Sequence, residues 1–273
     1  MSDSLATFAR TCTPENAHLN SGCGYPAPSL NDFQFAPIFR IGSFGFTKPM
    51  LLAVVTMLVV LGFFWAAFAR PKLVPRGVQN LGEMGLLFVR DQILRPFLGK
   101  KGDGYLPFLM SLFFFIWIMN LWEVIPVAQF PVPARIGFAW ILVAMVWLTY
   151  MSLGIVKQGP LKFFKNMAIP GEVPWWILPL LVPVELASNI IVRPFTLGVR
   201  LFANMFAGHL LLLVFYTATW YLTSLSFAAV FAAGSFVMVF VITAFELLIQ
   251  FLQAFIFTTL TATYIAGSLE AAH

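Results

Sequence analysis

The chain has 273 residues, 60% of them hydrophobic and only 10% charged, with a mean hydropathy of +0.88. A soluble domain carries about 25% charged residues, so a water-soluble globule is excluded and a polytopic membrane protein is indicated. The net charge of +5 is scattered over short loops between apolar runs, a bias of membrane proteins; no basic face is left for nucleic acid.

Residues 1–40 are polar and rich in Pro, Asn and Ser, with no signal peptide in them. Cys12 and Cys23 are too far apart for a CxxC metal site. Outside the cell they form either a disulfide or two unpaired thiols. Residues 1–48 are expected to be an extracytoplasmic segment and 49–273 a single integral membrane domain.

The first span, 49–69, is uncharged and long enough to cross a hydrocarbon core of about 30 Å. It stops at Arg70, Lys72 and Arg76. Residues 77–99 mix charge and apolar side chains at helical spacing, which predicts an amphipathic helix on the membrane surface. Two further spans follow at about 105–125 and 136–156, joined by a Pro-rich loop. Residues 70–101 carry seven Lys or Arg, and Lys157, Lys162 and Lys165 follow the third span. Between spans two and three there is only Arg135. The positive-inside rule therefore puts 70–101 and 157–174 in the cytoplasm and the N-terminus outside.

From Trp175 the apolar pattern runs almost unbroken to Leu222, and again from about Leu225 to Ala266. An upright helix over 175–222 would be about 72 Å long. Each run is thus two spans or one long tilted helix. The polar residues at Glu185, Ser188, Asn189 and Arg193 argue against a plain lipid-facing span and favour the tilted form. The expected fold is all-α, with about five membrane-crossing helices (about 49–69, 105–125, 136–156, 175–222 and 225–268) plus an amphipathic surface helix. Its last two helices are long and strongly tilted, as a hairpin.

Arg200 is the costliest residue in these runs. A guanidinium keeps its charge at any physiological pH, and one near mid-bilayer costs about 2.5–3.5 kcal/mol on insertion scales. No acid lies closer along the chain than Glu185, so its anionic partner is expected far along the chain or on another subunit. On a helix at 100° per residue, Glu185, Ser188, Asn189, Thr196 and Arg200 share a sector of about 120°. His209 points to the opposite side. Glu246, Gln250 and Gln253 cluster on one face of the last helix. The glutamines suit interhelical hydrogen bonding or a polar path, and His209 suits core packing or proton relay with an acid. Gly198, Ala203, Ala207 and Gly208 read as helix-packing positions. There is no GxSxG, HExxH or Gly-rich phosphate loop, so neither catalysis nor a cofactor or metal is expected.

The run from Arg200 through Asn204 to His209, preceded by Arg193-Pro-Phe-Thr-Leu197, resembles the signature helix of the a subunit of F-type ATP synthases. Leu252-Gln-Ala-Phe-Ile-Phe257 is similar to that family's last-helix motif, and Asn120-Leu-Trp-Glu-Val-Ile-Pro126 to the end of its second span. The resemblance covers about 105–266. It implies a non-catalytic stator subunit of the proton-translocating sector in a bacterial plasma membrane, with the C-terminus cytoplasmic. The implied partners are a rotating ring of c subunits, the b subunits of the peripheral stalk and the lipid membrane. Arg200 would face the ring carboxylates. An outer half-channel would use Asn204, His209, Glu246, Gln250 and Gln253 with Glu123 nearby, and a cytoplasmic one Glu185 and Ser188. His209 and Glu246 exchange an acid and a histidine of some relatives. The Glu185–Pro194 spacing is one residue longer than the resemblance implies, which bears on the face that Glu185 occupies. The alternatives are a stand-alone secondary transporter, expected to carry an inverted repeat, and a membrane hydrolase, for which no nucleophile or metal constellation exists.

Overall fold

The structure, a computed structural model, describes residues 25–28, 33, 36–42, 44–125, 128–169, 176–223 and 228–270. Cys12 and Cys23 lie outside them. The chain is an all-α polytopic membrane protein. Five helices among the described residues are long and apolar enough to cross a membrane: Lys48–Phe68, Lys100–Leu121, Ile136–Gln158, Leu178–Leu222 and Ala228–Leu269.

The chain divides into two compact units. The larger comprises Lys48–Met205 and Gln250–His273. It opens with α1 (Lys48–Phe68), whose Pro49 sits in the first turn, where a missing N–H costs nothing. The surface segment follows as α2 (Val78–Phe88), a π-helical turn at Val89–Leu94 and a short helix at Arg95–Leu98. Its apolar side, Val89, Ile93 and Leu94, is fully buried in the core, while Asp91 pairs with Arg90 at 3.0 Å and Arg95 at 3.4 Å on the exposed side. Next come α3 (Leu106–Leu121) and α4 (Ile136–Gln158). Gly159, at φ 81°, ends α4 in a conformation that suits glycine, and Pro160 opens α5 (Pro160–Ala168). This second amphipathic helix, with Phe163 buried and Lys162 and Lys165 exposed, is not anticipated from the sequence.

The fourth span consists of α6 (Leu178–Ala187), a π-helical turn at Ser188–Val192 and α7 (Arg193–Leu222). A π turn closes each hydrogen bond over five residues and so inserts one extra residue into an α-helix. Here the Arg193 N–H bonds to the Ser188 carbonyl. The Glu185–Pro194 segment therefore contains a turn that takes in one residue more than an α-helix would. A projection at 100° per residue does not carry from Glu185 to Arg200 across that turn. The fifth span is α8 (Ala228–Glu270). Only 17% of its most apolar stretch is buried, and Phe231, Phe236, Phe240 and Phe245 are all more than half exposed.

The core of the larger unit runs through Leu109, Leu112, Phe113 and Ile116 of α3, Val143 and Val146 of α4, Leu197 and Leu201 of α7, and Ala254 and Phe257 of α8. A polar tie joins α1 to the end of α3: Trp122 Nε1 donates to the Thr56 hydroxyl at 2.6 Å.

The smaller unit comprises Met1–Thr47 and Phe206–Ile249. It contains an antiparallel hairpin, β1 (Phe39–Ile41) and β2 (Phe44–Phe46), with Phe39 opposite Phe46. Its α7 and α8 portions run antiparallel, tied by the Ser235 hydroxyl donating to the Phe215 carbonyl at 3.1 Å.

Candidate functional site

Arg200 lies on the exposed side of α7, one position before the fully buried Leu201. Among the described residues it forms no ion pair. A permanent cation on a membrane helix is stabilised by an anion, and the described part of its own chain supplies none.

One turn further, Asn204 Nδ2 donates to Gln253 Oε1 of α8 at 2.9 Å. Gln253 belongs to a buried polar row on α8 that continues with Gln250, itself 0% exposed. Gln250 Nε2 donates to Glu123 Oε2 at 2.9 Å, and Asn120 Nδ2 to the Gln250 carbonyl at 3.4 Å. The structure thus brings Asn204, Gln253, Gln250 and Glu123 together and adds Asn120. Its part in the sequence is only that of a motif residue at the end of the second span. Among the described residues, Asn120 Oδ1, Gln250 Oε1 and Gln253 Nε2 are buried without a hydrogen-bond partner. Each such atom costs about 1–3 kcal/mol, so a row of them is not a packing solution.

In the smaller unit His209 and Glu246 are both buried, at 8% and 2% exposure. The Glu246 carboxylate lies against the α-carbon of Gly208, and a methyl group at Gly208 would overlap it. Gly208 is therefore more than a helix-packing position: it makes the space that the acid occupies. The sequence marks the glycine as small but not which side chain approaches it.

A second polar cluster surrounds Glu185. A cleft of about 200 Å³ is lined by Glu185, Asn189, Arg193, Tyr150, Tyr264 and Ser268, with Asn166 and Met167 of α5. Asn189 Nδ2 donates to the Glu185 carbonyl at 2.9 Å and approaches its carboxylate at 3.4 Å. The Tyr150 hydroxyl donates to the Asn189 carbonyl inside the π turn at 2.9 Å. Arg193 stacks its guanidinium 5.5 Å from the centre of the Tyr264 ring, a cation–π contact. Ser188 is part-exposed and does not line the cleft. Tyr150, Tyr264, Asn166 and Ser268 are not recognised from sequence, because each sits singly in an apolar or loop context far along the chain. Among the described residues no group of His, Cys, Asp and Glu is placed to hold a metal ion.

The chain as a whole is similar to proteins of one family. The profile described as ATP synthase A chain matches residues 50–266. The chain is 47% identical over 261 residues to the ATP synthase subunit a of Streptomyces lividans, covering 94% of this chain and 92% of that protein. It is 43% identical over 251 residues to the subunit of that name from Frankia alni (90% and 86% covered), and 41% identical over 252 residues to that from Rhodococcus erythropolis (90% and 91% covered).

Proposed function

The chain belongs to the ATP synthase A chain family, and from that premise we propose that it is the non-catalytic stator subunit beside a rotating c-ring in a bacterial plasma membrane, held by the b subunits of a peripheral stalk. In this reading the N-terminus is outside and the C-terminus cytoplasmic. Protons enter from outside by way of His209 and Glu246 and the buried row Asn204, Gln253, Gln250 and Glu123. They neutralise a ring carboxylate, which then turns into lipid. After nearly a full rotation the carboxylate meets the cleft at Glu185 and releases its proton to the cytoplasm. Ser188 stands at the edge of that route.

Arg200 attracts the ionised carboxylate and, because it cannot deprotonate, denies protons a direct passage between the two routes. Each proton crossing contributes about 2.3 kcal/mol per 100 mV, delivered as rotation because neither route spans the membrane alone. The observation that carries this reading is the exposure of Arg200 without an acid among the described residues of its own chain. The partnerless buried amides add support, since water carrying a proton satisfies such atoms.

The test is Arg200→Ala in the assembled complex. ATP-driven proton pumping and proton-driven synthesis are expected to vanish while the subunit composition stays intact. Full pumping in that variant overturns the reading.

A further inference from the structure

The N-terminal segment has no part in the mechanism above, yet it meets α7 at two places. Tyr25 donates its hydroxyl to the Val214 carbonyl at 3.0 Å and lies 2.7 Å from the Thr217 hydroxyl. Its ring stands edge-on to Tyr221, with centroids 5.6 Å apart. Phe33 is only 7% exposed. Its ring packs against Phe206 at 4.6 Å and meets the His209 imidazole at 5.4 Å with an interplanar angle of 78°. The two anchors therefore follow α7 in the antiparallel sense, Tyr25 at residues 214–221 and Phe33 at 206–209.

An edge-to-face contact has a preferred geometry, so it restrains rotation of the imidazole about its last side-chain bond. It also covers one side of that ring with hydrocarbon. We propose that Phe33 is a positioning residue for proton entry: it caps His209, fixes the plane of its imidazole and limits water to the remaining side, and Tyr25 anchors the segment that carries it. Phe33, uncharged, meets the imidazole from the N-terminal segment and packs on Phe206 one turn before it on α7. The titratable group described nearest in this unit is Glu246 of α8, seated at Gly208, the residue before His209. The role in proton entry rests on the stator reading; the cap itself does not.

Two readouts test this in the full complex. In detergent-purified complex, diethyl pyrocarbonate labelling of His209, followed by peptide mass, should be several-fold faster in Phe33→Ala than in the unmodified protein. Phe33→Tyr should restore slow labelling, and Tyr25→Phe should fall between. Equal rates in all forms overturn the cap. In proteoliposomes, the dependence of ATP synthesis on the pH of the entry side should shift in Phe33→Ala and return in Phe33→Tyr. An unshifted profile overturns the positioning role. If Phe33→Ala fails to assemble, Phe33→Leu, which keeps bulk without a ring, takes its place with the same expectations. Arg200→Ala in parallel separates the two ideas: if it stays active the stator reading fails, whereas unchanged labelling sinks the cap alone.

Discussion

The carboxylate of Glu246 occupies the space that a side chain at Gly208 would fill. The acid on α8 and the residue beside His209 on α7 are thus matched in shape, and the position of a titratable group depends on a hydrogen atom in place of a methyl.

Gly208→Ala should therefore act on function without harming the fold. Alanine in a helix interior is favoured over glycine by about 1 kcal/mol, and the overlapped atoms are the mobile end of a side chain. We expect assembled complex in normal amount with proton flux reduced about tenfold, equivalent to about 1.4 kcal/mol of barrier. Flux equal to that of the unmodified protein would mean that the carboxylate need not sit there.

Gln250→Leu removes the amide that donates to Glu123. A hydrogen bond contributes about 0.5–1.5 kcal/mol, and the leucine leaves buried Glu123 Oε2 without this donor, so the thermal unfolding midpoint of the subunit should fall. Glu123→Gln, which keeps an acceptor oxygen, should cost less. The opposite order of the two midpoints would disprove the assignment of donor and acceptor.

The π turn makes a length prediction. Removing exposed Ile191 from within it lets the segment revert to α-helix, and Arg200 should keep its face. Removing exposed Val199 from regular helix rotates the preceding segment by about 100° against Arg200. Proton pumping should survive the first deletion in part and be lost in the second. Equal loss in both would deny the turn its role as the absorber.

The exposed Asp91 has its carboxyl held below the usual carboxylate range, first by its hydrogen bond from Arg90 and then by the charges of Arg90 and Arg95. A depressed folded value contributes stability above the unfolded value, which is lost as pH falls through the folded one. That window lies below about pH 4, and the pair is open to solvent. Asp91→Asn should leave the flux profile between pH 6 and 9 unchanged; a shift there would tie the surface helix to proton transfer.

The sequence makes the number and order of the spans legible, because continuous apolar runs bounded by basic loops have few structural solutions in a bilayer. The buried row is half legible: Gln250 and Gln253 stand out on a helical face, whereas Asn120 and Glu123 reach them across some 130 residues of chain. The cleft at Glu185 is less so. A π turn leaves no compositional mark, and Tyr150 and Tyr264 look like ordinary aromatics until the backbone bends them toward Asn189 and Arg193. Phe33 is equally hard to single out: it stands near Tyr25, Phe35 and Phe39 in a polar segment with no helical period to separate one aromatic from the next.

The poorly covered surface of α8 has a thermodynamic consequence. With Phe231, Phe236, Phe240 and Phe245 facing outward, most of what that helix needs as surroundings comes from lipid tails or neighbouring subunits. Its folding free energy is therefore a property of chain and solvent jointly, and a melting curve recorded in one detergent will not transfer to another.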